Sequence, residues 1–276
     1  MRLALCNEVV TEFDFAQQCE FAAALGYEGL EVAPMTLSGE PHLLAAGERR
    51  RLRRAAADAG IAIASLHWLL VKPAGLSITS GEAAVRARTL EVMRGLVELA
   101  AELGAVVMVH GSPAQRRLPE GPEAAAARGR GLEAFRSIVE LAERLGIVYC
   151  IEPLSRDQTN FITSLAEAAQ IVRDFNSPAI RTMIDCSSAS RGEAESVAAL
   201  VDRWLPTGLV AHVQVNDRNR RGPGQGEDRF APVLAALRRH NYSGWVAVEP
   251  FDYVPDGPAS AARAAGYLRG IMEAQA

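Results

Sequence analysis

Two near-copies of one short phrase limit what this chain can fold into. Ile147-Val148-Tyr149-Cys150-Ile151-Glu152-Pro153 and Trp245-Val246-Ala247-Val248-Glu249-Pro250 each follow a glycine, Gly146 or Gly244, and run through unbroken apolar residues to a single carboxylate before a proline. An apolar run without polar alternation is the pattern of a strand buried on both faces, as in a parallel sheet covered by helices. A helix interior does not fit, because proline lacks a donor, clashes with the preceding turn and biases the residue before it towards extended geometry. Each phrase therefore delivers a glutamate to the carboxyl end of a buried strand. In one parallel sheet those ends lie on the same side.

Weaker versions of the phrase recur. Leu25-Gly26 precedes Tyr27 to Ala33, Ala59-Gly60 precedes Ile61 to His67, and Leu103-Gly104 precedes Ala105 to His110. Each reads as a helix, a left-handed glycine stop and a strand. Leu3 to Cys6, Ile180 to Asp185 and Leu209 to Val215 complete a set of eight strands. Between them, Leu90, Met93, Val97 and Ala100 recur at helical spacing, as do Phe135, Ile138, Ala142 and Leu145. Ser164-Leu165-Ala166-Glu167 reads as a capping box opening the helix after the fifth strand. Eight alternating units in 276 residues, with no linker and no nucleotide fingerprint at the first turn, predict an α/β chain of one domain: a (β/α)8 TIM barrel over residues 1–276.

Composition narrows the function. A net charge of -4 argues against a nucleic-acid surface, and the run Arg49 to Arg54 reads as the wet face of a helix. Lys72 is the only lysine, a weak basis for Schiff-base chemistry. Cys6, Cys19, Cys150 and Cys186 lack CxxC spacing and read as reduced, buried thiols of a cytoplasmic protein. No apolar run approaches the length of a membrane span, and the start lacks the apolar core of a signal peptide.

In a barrel, polar residues at the carboxyl ends of strands converge on one mouth. The last four strands end in Glu152, Asp185, Gln214 and Glu249, spaced 33, 29 and 35 residues apart, so they are successive neighbours around half the rim. Three carboxylates so close repel and raise one another's pKa, and a divalent cation resolves the repulsion. Hard oxygen ligands suit Mn²⁺ or Mg²⁺. His212, two residues earlier and one layer deeper, competes with Gln214 as ligand or supports it from below. Beyond Gln214, Arg220 and Arg221 stand in a glycine-rich loop suited to holding substrate oxygens, or to a solvated turn. His67 and His110 end strands three and four and are expected to face the mouth, with Trp68 offering an apolar wall to a sugar ring. The Pro/Gly-rich loops Lys72 to Gly81 and Gly111 to Pro122 are expected over the mouth as lids or walls.

Nearly the whole chain resembles the xylose isomerase-like TIM barrels, the sugar phosphate isomerase/epimerase superfamily. The likeness is strongest in Glu152-Pro153-Leu154-Ser155-Arg156, Asp185, His212 to Gly226 and Trp245 to Phe251. It is similar to ketose 3-epimerases and hydroxypyruvate isomerases, which implies that Glu152, Asp185, Gln214 and Glu249 hold one Mn²⁺, Mg²⁺ or Co²⁺, with Mn²⁺ first, while Glu152 and Glu249 shuttle a proton. Arg220 falls at the epimerases' substrate-binding arginine. Three positions depart from them: Gln214 replaces a histidine but matches the glutamine of hydroxypyruvate isomerases, Ser188 replaces a substrate-contacting histidine, and Gln158 a glutamate.

These readings point to a metal-dependent sugar or keto-acid isomerase or epimerase working by proton abstraction next to a carbonyl through a cis-enediolate. The alternative is a metal-dependent lyase or dehydratase on a keto-sugar or keto-inositol using the same site. A retaining glycosidase also uses two glutamates but leaves Asp185 and Gln214 without a role. An endonuclease IV-type phosphodiesterase would need several zinc ions and more than five histidines. A non-catalytic sugar-binding barrel would show no exchange of substrate protons. The expected partners are a small-molecule substrate and, by analogy alone, further copies in a homo-dimer or homo-tetramer, with neither nucleic acid nor membrane.

Overall fold

The glycine stops set the frame. In the computed structural model, which describes residues 1–275, Gly26, Gly60, Gly104 and Gly146 all lie at positive φ, between 69° and 84°. Gly244 departs from this pattern, because the left-handed stop before the last strand is Asn241 at φ 53°. Gly244 is required for a different reason: a Cβ there would stand 2.5 Å from the Tyr242 hydroxyl.

Strands begin just after these stops. They are Arg2–Cys6 (β1), Gly29–Val32 (β2), Ala62–Leu66 (β3), Val107–His110 (β4), Val148–Ile151 (β5), Ile180–Asp185 (β6), Val210–Val215 (β7) and Trp245–Val248 (β8). All neighbours pair in parallel and β8 closes onto β1, giving the single-domain (β/α)8 barrel expected from the repeat. The helices are Phe15–Ala24 (α1), Ala46–Asp58 (α2), Ala83–Leu103 (α3), Ala124–Arg136 (α4), Val139–Leu145 (α5), Leu165–Phe175 (α6), Cys186–Gly192 (α7), Val197–Trp204 (α8), Ala231–Arg239 (α9) and Gly257–Ala274 (α10).

Three local readings need correction. The third helix begins at Ala83, seven residues before the periodic stretch, with the Thr89 hydroxyl absorbed by the Val85 carbonyl at 2.7 Å. The stretch from Phe135 to Leu145 is two helices. Ser137 Oγ donates to the Ala134 carbonyl at 2.7 Å and the ladder breaks at Ile138; Leu145, at the end of the second helix, is 36% exposed. The capping box at Ser164 is displaced by one residue: Ser164 accepts from Glu167 N, but the Glu167 carboxylate accepts from Thr163 N at 2.9 Å.

Alternation along the strands sorts the side chains. Outward-facing residues join the helices in one large apolar core, while Val107, Val109, Cys150 and Met183 form a separate small cluster inside the barrel. Glu152 and Asp185 lie two residues beyond Cys150 and Met183, on the same inward face, and so project at the mouth. A polar set, Cys6, Glu31, Ser65, His212 and Gln214, is fully buried too, with Ser65 level with Val107 and His212 level with Met183. All four cysteines are free and buried. Among the described residues no helix is long and apolar enough to cross a membrane.

The α10 packing gives a paired test. A Cβ on Gly257 would be driven into the Val9 carbonyl oxygen, whereas Gly266 is exposed with open space around it. Urea denaturation should show Gly257→Ala losing about 1–3 kcal/mol, as overpacking does. Gly266→Ala should gain about 1 kcal/mol from helix propensity. Equal effects at the two sites would contradict this packing.

Candidate active site

A cavity of about 160 Å³ opens at the carboxyl ends of the strands. Glu152, Asp185 and Glu249 line it, as do Trp68, Gln158, Ser188 and Arg220. Seven of the expected site residues are thus brought to one pocket. Gln214, His67 and His212 lie beneath it. Gln214 is level with Asp185 on β6 and with Ala247 on β8, two residues before Glu249.

Each carboxylate is held differently. Glu249 Oε1 faces His67 Nδ1 at 3.0 Å and accepts from Trp68 Nε1 at 3.2 Å, while Oε2 accepts from Asn216 Nδ2 at 3.3 Å. Asp185 ends β6 and caps α7, with Oδ1 accepting from Ser188 N at 2.6 Å and Oδ2 buried without a partner. Glu152 fits because residue 111 is glycine, since a Cβ there would collide with its carboxylate. Burial, followed by the charges of Glu249 and Asp185, pushes the Glu152 carboxyl well above the ordinary range. Burial likewise raises Glu249, against the opposing hydrogen bond and charge of His67, and it raises Asp185 despite the Ser188 amide. Desolvation is the larger cause in all three, with mutual repulsion adding to it at Glu152 and Glu249.

The floor is organised by Glu31, which the sequence reading passed over. Its Oε1 accepts from Gln214 Nε2 at 2.5 Å, its Oε2 lies 2.6 Å from His212 Nε2, and Ser65 Oγ donates to the same carboxylate. Burial alone would raise its pKa, but His212 and His67 outweigh burial and hold it well below the usual range. His67, expected at the substrate wall, lies behind that wall with 1% exposure. Its Nε2 is 3.0 Å from Glu8 Oε2 and its Nδ1 is 3.0 Å from Glu249 Oε1. With a carboxylate at each ring nitrogen, both nitrogens donate, as in an imidazolium. Burial opposes that charge, but Glu8 and Glu31 prevail and raise the His67 pKa well above its ordinary value.

His110 does not face the mouth. It points outward from β4, with Nδ1 2.7 Å from the Tyr149 hydroxyl and its ring edge-on to Phe135. Two-residue alternation accounts for the error, because Val107 and Val109 are the inward residues of β4. Of the two expected lids, the one from Gly111 supplies wall residues, Gly111 to Pro113, whereas the Lys72 to Gly81 loop lies outside the lining and buttresses it through Ile78 N to Gln115 O at 2.9 Å. Arg220 lies with its guanidinium carbon 5.1 Å from the Phe251 ring centroid, while Arg221 turns outward to Asp252 at 2.7 Å. Gln158 Nε2 reaches Ser188 Oγ at 3.5 Å.

Arg116 was also missed. It is fully buried behind Glu152, donating from Nη1 to the His110 carbonyl at 3.3 Å, with Nε and Nη2 unpartnered. Burial lowers its pKa to about 10, opposed by Glu152 and Glu167. Asn216, two residues past Gln214 on the inward face, ties Glu249 to the start of α7 by accepting from Ser187 N at 2.8 Å. Glu31 carried a legible signal, one acid within the apolar strand Gly29-Leu30-Glu31-Val32. Arg116, in a polar loop, carried none.

The donor chemistry fits a divalent cation. The buried oxygens Asp185 Oδ2 and Gln214 Oε1 have no partner among the described residues, beside two further carboxylates that burial destabilises as anions. Two other clusters, Glu8-His67-Glu249 and Cys6-Glu31-His67, bring their donor atoms within 4.8 Å of one another, whereas Glu152, Asp185 and Glu249 do not form so tight a group. In both, the histidine already lies between carboxylates.

Residues 19–271 match the family model described as xylose isomerase-like TIM barrel, and the chain belongs to that family. Among curated proteins it is 31% identical over 102 residues to a D-psicose 3-epimerase of Agrobacterium fabrum, covering 37% of this chain and 34% of that protein. It is 30% identical over 102 residues to the 3-dehydro-D-guloside 4-epimerase of Escherichia coli, covering 37% of this chain and 38% of that one. The matched stretch thus spans about a third of the length of these relatives. Among solved structures it is similar to a D-psicose 3-epimerase crystallised in the presence of D-fructose, with TM-score 0.81 and 23% identity over 98% of this chain and 99% of the other. A 3-keto-D-glucoside 4-epimerase from E. coli gives 0.83 and 21% over the same shares. At these identities the two structures bear on the fold.

The His110 environment sets an acid limit on stability. Burial, with the Arg116 charge, lowers its pKa to about 3. Its contribution is therefore fully present above the unfolded value near 6.5 and is lost as pH falls from there towards 3, because the unfolded chain takes up a proton that the folded ring refuses. Urea unfolding at stepped pH should show an acid-side slope steeper by up to about 1.4 kcal/mol per pH unit in the wild type than in His110→Gln. Identical slopes would contradict a neutral His110 in the fold.

Proposed function

We propose that this protein is a divalent-metal-dependent sugar or keto-acid isomerase, of the epimerase or aldose-ketose type, acting by proton transfer at a carbon next to a carbonyl. The observation that carries the reading is the convergence of three buried carboxylates, Glu152, Asp185 and Glu249, on one pocket that also holds Trp68 and Arg220. Glu152, Asp185, Gln214 and Glu249 would hold the ion, Mn²⁺ by preference, with Mg²⁺ or Co²⁺ as substitutes. When bound, it compensates the carboxylates' repulsion and polarises substrate oxygens.

The rest falls to side chains of this chain. Glu152 and Glu249 come from strands three positions apart on the closed barrel and approach the pocket from different sides. One takes the proton, and either the partner, starting as the carboxylic acid, delivers its own proton from the other side or the same carboxyl group gives the first one back. Return to the opposite face of the same carbon epimerises it, and return to the neighbouring carbon interconverts aldose and ketose. Trp68 and Phe251, edge-on at 6.0 Å, form an apolar wall for the sugar's C–H face. Arg220, propped on Phe251, offers a planar fork to substrate oxygens, and Gln158 with Ser188 gives the rim neutral hydrogen-bonding groups. Burial of the carboxylates keeps bulk water from the reacting carbon.

The test is a panel of ketoses, aldoses and keto-acids incubated with Mn²⁺-loaded protein in D₂O and followed by NMR. Deuterium should enter the carbon next to the carbonyl, exhaustive chelation should stop it, and Glu152→Gln or Glu249→Gln should slow it by roughly 10²–10⁴-fold with the fold intact. Full turnover in Glu249→Gln would end the proposal. Loss of water from the substrate would mark lyase chemistry at the same carboxylates.

A further inference from the structure

We infer that Glu31 is a positioning residue that fixes the carboxamide of Gln214 with its oxygen, not its nitrogen, turned to the cation; this rests on the function proposed above. An amide presents an acceptor and a donor of nearly equal size at one site, and its nitrogen cannot ligate a cation. Free rotation would therefore leave the site without its fourth donor part of the time. The floor of the pocket removes that freedom. Gln214 Nε2 is 2.5 Å from Glu31 Oε1, and Oε1 of Gln214 is buried with no partner. Since the amide is planar, fixing one arm fixes the other.

Glu31 is itself locked. Ser65 Oγ and His212 Nε2 occupy its second oxygen, and Cys6 Sγ lies 3.5 Å from the first. The groups that hydrogen-bond the carboxylate, Gln214 Nε2, Ser65 Oγ and Cys6 Sγ, are all donors, so the acceptor end of Gln214 cannot turn to it without opposing two oxygens. His67 Nδ1, 3.4 Å from Gln214 Nε2, is engaged by Glu249 Oε1 at 3.0 Å. Gln214 stands level with Asp185 on the adjacent strand, where Oδ2 is likewise buried without a partner. The Glu31 lock accounts for the orphaned oxygen of Gln214, the register neighbour of Asp185.

The experiment is titration of metal-free protein with Mn²⁺ by calorimetry, with the melting temperature of each variant measured alongside. Glu31→Gln should weaken Mn²⁺ binding by about 10- to 100-fold, the usual loss when a partner of a ligand is removed. Gln214→Glu should also weaken it, because two carboxylates then oppose each other on the floor. The double variant Glu31→Gln/Gln214→Glu reverses the hydrogen bond and should recover most of the affinity. A merely structural role predicts that the two losses add, and additivity would overturn the inference. Should Glu31→Gln fail to fold, Glu31→Asp keeps the charge beside His212 but withdraws it one methylene from Gln214, and it should weaken Mn²⁺ binding as well; unchanged affinity there would also overturn the inference. Glu152→Gln and Gln214→Leu separate the two levels. If neither alters Mn²⁺ affinity, the proposed metal site is wrong; if both weaken it while Glu31→Gln does not, the site stands and the lock alone is wrong.

Discussion

The structure depends on one electrostatic constraint: three carboxylates taken out of water at one end of a closed barrel. A sheet that closes on itself forces the inward residues of neighbouring strands together, so a chain with acids at the end of β6 and just past the ends of β5 and β8 has no means of separating them. Burial raises the pKa of each, and repulsion adds to the rise for Glu152 and Glu249. Such an arrangement is costly for stability, and proteins keep costly arrangements where binding or chemistry uses them.

The surrounding residues answer that constraint in layers. Asn216, Trp68 and His67 turn donors towards Glu249, and Ser188 does so for Asp185. Below them, Glu31 and Glu8 hold His67 as a cation, so positive charge reaches the underside of the mouth from within the fold. Arg116 adds a second buried cation behind Glu152. These groups meet the carboxylates from below and behind. The pocket side of Asp185, and the unpartnered oxygen of Gln214 at the same level, remain for an ion.

Much of this was legible in the residues. Period and punctuation carried the barrel, because a glycine stop before an apolar run has few other readings, and strand-final acids carried the pocket. What was lost turned on direction. His110 ends β4 and His67 directly follows β3, yet alternation sends one outward to Tyr149 and Phe135 and the other inward beneath the substrate wall. A one-residue uncertainty in where a strand ends inverts every such assignment. The break at Ser137 was hidden because a hydroxyl competing for a helix carbonyl leaves the apolar spacing intact. Arg116 was hidden because a buried arginine in a loop declares itself only through the carboxylates that three-dimensional packing brings to it.

The central claim is that these strand ends form one cation site. Anomalous scattering from crystals grown with Mn²⁺, recorded on both sides of the manganese edge, tests it most directly. The account predicts a single strong peak among the side-chain oxygens of Glu152, Asp185, Gln214 and Glu249. No peak in the pocket, or a peak seated instead between Glu8 and His67, would contradict it.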